Sequence, residues 1–286
     1  MRSTTARLPE LGHDTTEITA PAMFAPYAAG NDVHVLPAYL PVPGMGVLPA
    51  NSFVITGEEP VVVDAGPGGL PAGTFEAALG AVVDPADVRW LWLTHTDPDH
   101  IGALRYLLDA APRLRVVTTY LAAGKLGLID PVPLDRCYFA NPGDAVHVGD
   151  RKLVCLKPPS FDAPETTSFY DSKTGTYFSA DTFGALLDTP AATADDLSPQ
   201  RLRDGIVTWS RIDAPWLHRV DLADFEHRLH DVRRLRSPLV LGSHLPPASN
   251  RVDHLLAALA DVPASSPWIG PDQAMLETML AQMASA

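Results

Sequence analysis

Thr94-His95-Thr96-Asp97-Pro98-Asp99-His100-Ile101-Gly102 is the stretch on which the fold turns. It follows the short apolar run Val88 to Leu93 (VRWLWL), which reads as a buried strand, and precedes a helical pattern over Ile101 to Ala111 that Pro112 stops. Four metal-binding side chains, His95, Asp97, Asp99 and His100, fall within six residues at a strand's end, and Pro98 stiffens the loop that carries them. Carboxylates and imidazoles crowded in this way repel or desolvate one another unless a cation sits among them. One Asp could serve instead as the N-cap of the following helix. Two Asp and two His cannot all be explained so, and metal binding is the reading adopted.

Outward from that loop, Asn51 to Thr56 (NSFVIT) and Pro60 to Asp64 (PVVVD) form a hairpin pattern about Gly57-Glu58-Glu59, and Thr74 to Val82 has helical spacing. Downstream, strands are expected over Arg115 to Tyr120 and Asp150 to Leu156. A second hairpin is expected from Ser168 to Tyr170 and Thr176 to Ser179. A long helix is expected over Asp221 to Arg236, a strand over Pro238 to Ser243, and closing helices over Arg251 to Leu259 and Asp272 to Met283. Leu187 to Ser198, acidic with Pro and Ala, reads as an excursion over the surface. Hairpins and strand–helix units in both halves imply an α/β fold of two mixed sheets packed face to face with helices outside. No linker divides the chain, so residues 31–286 are expected to form one domain behind a flexible leader, residues 1–30.

Further candidate ligands stand at other strand ends: Asp162 in the stiff loop Pro159 to Glu165, Asp181 after the strand ending near Ala180, and His244 after Ser243. Each alone is weak, because a lone His after a strand is often a half-buried structural residue. Together they place ligand groups at four strand ends, a usual siting for a pocket.

Asn51 to Gly66 (NSFVITGEEPVVVDAG), Thr94 to Gly102 (THTDPDHIG), Phe178 to Gly184 (FSADTFG) and Gly242 to Pro247 (GSHLPP) resemble, in order, the motifs of the metallo-β-lactamase superfamily. The resemblance covers about Val33 to Pro247 and implies an αββα four-layer sandwich with metals held by loops at one edge of the sheets. The hydrolases of that superfamily carry His-x-His-x-Asp-His. This chain keeps His95, Asp99 and His100 but has Asp97 at the second His. A carboxylate there is similar to the flavodiiron, oxygen-binding di-iron branch, here without a flavodoxin domain. That likeness implies one metal on His95, Asp97, Asp162 and a bridging Asp181, and a second on Asp99, His100, His244 and Asp181. The middle loop departs from the pattern, offering Asp162 (or Ser160) where the superfamily places a His. His100 is the less secure ligand, since its equivalent turns away from the metal in some flavodiiron proteins. Asp64 is expected to brace the metal loop rather than react.

Four carboxylates and three imidazoles without a thiolate make an oxygen-rich shell that suits iron, with zinc or manganese as alternatives. Two functions follow from the resemblance. One is a non-haem di-iron centre binding or reducing O2 or NO, either on electrons from a separate donor or as a sensor without turnover. The other is a hydrolase of esters, lactones, thioesters or phosphodiesters, in which metals activate a water that Asp99 orients. A small-molecule substrate is expected in either case.

Composition bounds the rest. The net charge of −13 argues against nucleic acid as a partner. No apolar run approaches the roughly 20 residues that span a bilayer. The first residues lack the apolar core of a signal peptide, and the two cysteines, Cys137 and Cys155, do not resemble a disulfide framework, so a cytoplasmic protein is expected. A homodimer is compatible with all of this. Trp216-Leu217-His218 is a candidate lid, the alternative being that Trp216 and Leu217 pack and His218 faces solvent.

Overall fold

The structure is a computed structural model that describes residues 18–30 and 32–284. Strands β1 (Ala22–Met23), β2 (Tyr27–Ala28), β3 (Val33–Leu36), β4 (Ala38–Val42), β5 (Gly46–Pro49), β6 (Ser52–Ile55) and β7 (Val61–Val63) open the chain. Helix α1 (Thr74–Gly80), strand β8 (Trp90–Trp92), helix α2 (Leu104–Ala110) and strand β9 (Arg115–Thr118) follow, then helix α3 (Tyr120–Ile129) and strand β10 (Cys137–Phe139). The second half runs through β11 (Ala145–Val148), β12 (Arg151–Leu156), β13 (Ser168–Asp171) and β14 (Thr176–Phe178) to helices α4 (Pro199–Asp213) and α5 (Leu222–Arg234). Strands β15 (Leu239–Gly242) and β16 (Leu245–Ser249) and helices α6 (Val252–Ala260) and α7 (Gln273–Ala284) complete it.

One sheet has the order β10-β9-β8-β7-β6-β3-β2 and the other β11-β12-β13-β14-β15-β16, while β1, β4 and β5 form a small third sheet. Both large sheets are mixed. In the first, β7 to β10 pair in parallel and the hairpin β6–β7 is antiparallel. In the second, only β14 and β15 run parallel.

Strand alternation explains the layering. Along β6 and β7, Phe53, Ile55, Val61 and Val63 face the layer between the sheets, while Val54 and Val62 face outward beneath α1 and α2. In the second sheet Phe178 and Leu241 point inward, and Tyr177 and Val240 point outward against α4, α5 and α6. Three apolar layers thus separate four structural ones, the αββα sandwich. Aromatic rings fill the middle: Phe178 stacks on Phe169 with centroids 4.4 Å apart and meets Phe53 edge-on at 5.7 Å. Arg151 clamps the two sheets at the end of β6 remote from the candidate site, its buried guanidinium donating to Asp171 and Asp32 at 2.6 Å each.

Several boundaries moved for local reasons. The strand expected over Arg115 to Tyr120 stops at Thr118, because the Thr119 hydroxyl accepts the Ala122 N–H at 3.1 Å and caps α3. The helix expected from Ile101 starts at Leu104, after turns that lead out of the metal-binding loop. Leu187 to Ser198 is not a surface excursion: Leu187, Ala191 and Ala194 are buried in the outer core, and Val47 and Leu187 exchange backbone hydrogen bonds. Of the expected leader, residues 1–17 lie outside the described ones, whereas β1 and β2 pair with β4 and β3. Both cysteines are free, and burial pushes the Cys155 thiol up to about 12, which makes it an inert core group.

Replacing Phe53, whose ring lies in the layer between the sheets, tests that layer. Phe53→Ala should lower unfolding stability by about 3–5 kcal/mol, read as a lower denaturant midpoint with an unchanged slope. A loss below about 1 kcal/mol would contradict a close-packed inter-sheet layer.

Candidate metal centre

The site is built from loops leaving one end of the sandwich. The first follows β8. Gly102 lets its exit pass against the Gly-rich loop after β7: a Cβ there would lie 2.5 Å from the Pro67 carbonyl carbon and oxygen. The loop after β14 carries Asp181 between two residues in the left-handed region, Ala180 (φ 51°) and Phe183 (φ 71°). Non-glycine residues hold such angles only when their surroundings impose them. Here the Ala180 carbonyl accepts the Ser243 N–H at 2.9 Å, the Gly184 N–H donates to the Asp181 carbonyl at 2.8 Å, and Thr182 Oγ1 donates to the Ser160 carbonyl at 2.7 Å. The turn between β15 and β16 supplies His244.

All seven residues expected as ligands converge. His95, Asp97 and Asp162 offer ligand atoms within 4.8 Å of one another, and so do Asp99, His100 and His244. Asp181 lies between the two groups. Its Oδ2 is 3.1 Å from His95 Nε2, and its Oδ1 is 3.4 Å from both His100 Nε2 and His244 Nε2. A carboxylate facing each group with a different oxygen has the placement of a bridge.

The imidazole tautomers follow from the partners. His244 Nδ1 donates to the Pro49 carbonyl at 2.6 Å. His100 Nδ1 donates to Asp64 Oδ2 at 2.9 Å. His95 Nδ1 donates to Thr94 Oγ1 at 3.1 Å, whose own proton goes to Asp64 at 2.8 Å. Every ring therefore turns Nε2 inward, and His100 Nε2 and Asp181 Oδ1 are buried with no hydrogen-bond partner. Such orphaned atoms are costly, and a divalent cation is the partner their chemistry fits. His100 points into the pocket and not away from it. Asp64, itself at φ 56°, takes further hydrogen bonds from the Thr94 N–H at 2.8 Å and the Ser243 hydroxyl at 3.3 Å, so it braces loops from both sheets.

Without cations the charges are frustrated. Burial and then the neighbouring His100 hold His95 down at about 3. His100 moves well above its usual value: burial opposes its charge, but Asp99, Asp181 and Asp64 together prevail. Burial also opposes ionisation of Asp99, yet His100, His244 and His95 hold it at about 2. Burial drives Asp97 and, further, Asp181 upward.

One residue escaped the sequence reading. Asp213, the last residue of α4, offers an oxygen within 4.8 Å of those of Asp162 and Asp181, and burial followed by repulsion from Asp162 and Asp99 raises it to about 8. A signal was present: Ser198-Pro199 is a helix start, and Leu202, Ile206, Trp209 and Asp213 recur at helical spacing. Ser160 packs instead against Thr182, their hydroxyls 3.2 Å apart. The candidate lid is packed: Leu217 is buried, and Trp216 donates to the Phe161 carbonyl at 2.7 Å. Nor does His218 face solvent, since both its ring nitrogens are buried.

A two-sheet αββα sandwich with its His and Asp cluster at one edge defines a protein of the metallo-β-lactamase fold. A family model described as ODP family beta lactamase matches residues 48–206, more than half of the chain, and the chain belongs to that family. Among curated relatives, the putative diflavin flavoprotein A 1 of Thermosynechococcus vestitus is 33% identical over 136 residues, 47% of this chain and 24% of that protein. The anaerobic nitric oxide reductase flavorubredoxin of Pectobacterium atrosepticum is 27% identical over 135 residues, 47% of this chain and 26% of that protein. The matches thus span about a quarter of these relatives' length. Among solved structures, a flavo di-iron protein mutant from Thermotoga maritima superposes with a TM-score of 0.72 at 18% identity, covering 85% of this chain and 62% of that one. The rubredoxin oxygen:oxidoreductase of Desulfovibrio gigas gives 0.71 at 15% identity, covering 84% and 61%.

Two outcomes are expected. Asp64→Asn should leave the chain folded and weaken metal retention about 10- to 100-fold; equal affinity in a chelator competition would remove Asp64's bracing role. Between pH about 6.5 and 8, an unfolded His or Asp has released its proton, while folded His100 and Asp213 still hold theirs. The folded state then binds more protons, so metal-free protein should lose stability as pH rises through that window. Metal-loaded protein, in which cations replace those protons, should not. A melting temperature that climbs with pH in the metal-free form contradicts the assignment.

Proposed function

We propose that the chain is a non-haem dinuclear metalloprotein, with iron as its preferred metal, that binds or reduces dioxygen or nitric oxide on electrons from a separate donor. The observation that carries this is the inward trio of Nε2 atoms about Asp181. His95, Asp97 and Asp162 would hold one ion, Asp99, His100 and His244 the other, and Asp181 both. The second group is two imidazoles and one carboxylate, a set suited to ferrous iron with open positions. When bound, such a pair supplies adjacent one-electron redox centres.

The chain's own residues set the conditions for that chemistry. Asp64 and the Pro49 carbonyl fix the rings of His100 and His244. The burial of His95, His100, Asp181 and His244 keeps bulk water from the ligands, while Asp97, Asp99 and Asp162 are less buried and mark the open side. The names of two similar proteins, a nitric oxide reductase flavorubredoxin and a rubredoxin oxygen:oxidoreductase, support diatomic gases as ligands. Asp97 favours this reading over hydrolysis, because it puts a carboxylate where the hydrolase pattern has an imidazole. Zinc or manganese in the same shell would suit the hydrolytic alternative, with Asp99, held ionised, orienting the water. Residues 31–286 would act as one unit. Among the described residues no helix is long and apolar enough to cross a membrane, which accords with work in the cytoplasm.

Anaerobic loading with ferrous iron, followed by addition of O2 or NO under an electrode, tests the proposal. Uptake should scale with bound iron, and Asp181→Ala should abolish it together with the metal pair. An iron-loaded wild type inert to both gases would sink the redox reading. Metal-dependent ester or phosphodiester cleavage in that same protein would replace it with hydrolysis.

A further inference from the structure

Helix α4 ends inside the pocket. Its Leu202 and Ile206 are buried in the outer core, and Trp209 and Asp213 continue the same stripe four residues apart, hence on one face. Trp209 is wedged against the loops that carry ligands. A Cβ on Gly184 would lie 2.5 Å from Trp209 Cδ1, and the indole ring centre is 5.6 Å from that of His244. Glycine at 184 thus admits the indole, and one turn later the stripe delivers the Asp213 carboxylate to Asp162 and Asp181.

Among the described residues, the surroundings of that carboxylate disfavour a negative charge. Asp213 is the last residue of α4, where the helix dipole presents its negative end and favours a cation. Its charged neighbours are Asp162, Asp99 and Asp97, relieved by one imidazole, His100. Beside it, Asp181 presents a buried oxygen with no hydrogen-bond partner, on a side chain only 1% exposed. A residue that breaks helix-terminus and like-charge rules together, beside a buried carboxylate whose Oδ1 lacks a hydrogen-bond partner, points to a ligand before it points to packing.

We infer that Asp213 is a metal-binding carboxylate of this pocket, a further oxygen ligand on its Asp162–Asp181 side. The inference rests on the dinuclear reading above and adds to it a donor supplied by a helix of the outer layer. Its consequence is one of charge. With Asp97, Asp99, Asp162, Asp181 and Asp213 the pocket offers five carboxylates. Adding one hydroxide gives the anionic charge that two trivalent ions neutralise, whereas two divalent ions leave an excess. By charge the extra carboxylate suits the oxidised, trivalent state of a redox metal, and as an oxygen donor it suits iron or manganese better than zinc.

Metal-free wild type, Asp213→Asn and Asp213→Glu should be titrated with Fe(II), Mn(II) and Zn(II) against a chromophoric chelator, with melting temperatures measured in parallel. The wild type is expected to take two ions per chain. Asp213→Asn should bind iron and manganese about 10- to 100-fold more weakly with a smaller loss for zinc, and Asp213→Glu should recover part of the difference. Because the amide needs no proton to be buried beside the other carboxylates, the metal-free Asn variant should melt no lower than wild type near neutral pH. Unchanged affinities in Asp213→Asn would overturn the inference, as would a lower metal-free melting temperature with affinity intact, since that marks a packing role. A wild type that binds no metal pair would instead end the dinuclear reading itself.

Discussion

Buried titratable groups short of partners are the constraint around which this molecule is arranged. Asp181 and three imidazoles are taken out of water at one rim of the sandwich, and the nearest neutralising groups are one another. Desolvating a carboxylate costs several kcal/mol even after relaxation, so the arrangement is stable only if protons or cations occupy it. Protons are only a partial answer here: the surrounding carboxylates push His100 and Asp213 upward so that both hold a proton, yet Asp99 stays ionised among them. Cations resolve the conflict at every residue at once. The strained turn at Ala180 and Phe183 and the network converging on Asp64 are then the scaffolding of one ionic object.

The sandwich supplies the stiffness this object needs. Ligands come from loops at one rim, while the sheets behind them are held by interlocked rings of Phe53, Phe169 and Phe178 and by the Arg151 clamp at the other end.

Most of the architecture was legible in the sequence because it rests on local periodicity. Strands β6, β7, β8 and β14 alternate or run apolar for a few residues between turns, and α5 and α6 carry regular apolar stripes. The residues of the cluster were legible because His and Asp crowded at strand ends are too costly to desolvate together without a cation. What escaped had weaker local marks. Helix α3 is apolar on most faces and interrupted by Gly124 and Gly127, so no amphipathic stripe announces it. Helix α4 begins in a segment whose acidic, Pro-containing composition suggests surface, and only tertiary packing of Leu187 and Ala191 shows otherwise. Missing α4 hid Asp213, since a lone Asp gains meaning only once its helix is docked. A bracing role for Asp64 is readable from the sequence, but its partners, His100 in its own sheet's loop and Ser243 in the opposite sheet, belong to the folded chain alone.

That last contact bears on how the protein matures. The candidate donors run from residue 95 to residue 244 in chain order, and the Ser243 hydroxyl of one sheet donates to Asp64 of the other. A nascent chain can expose the His95–His100 loop long before Asp181 and His244 have left the ribosome, yet it then offers only an open, mobile half-cage. A cage with donors on both sheets would close on metal only once both sheets are in place, and would give up its ions if heat or proteolysis parted them.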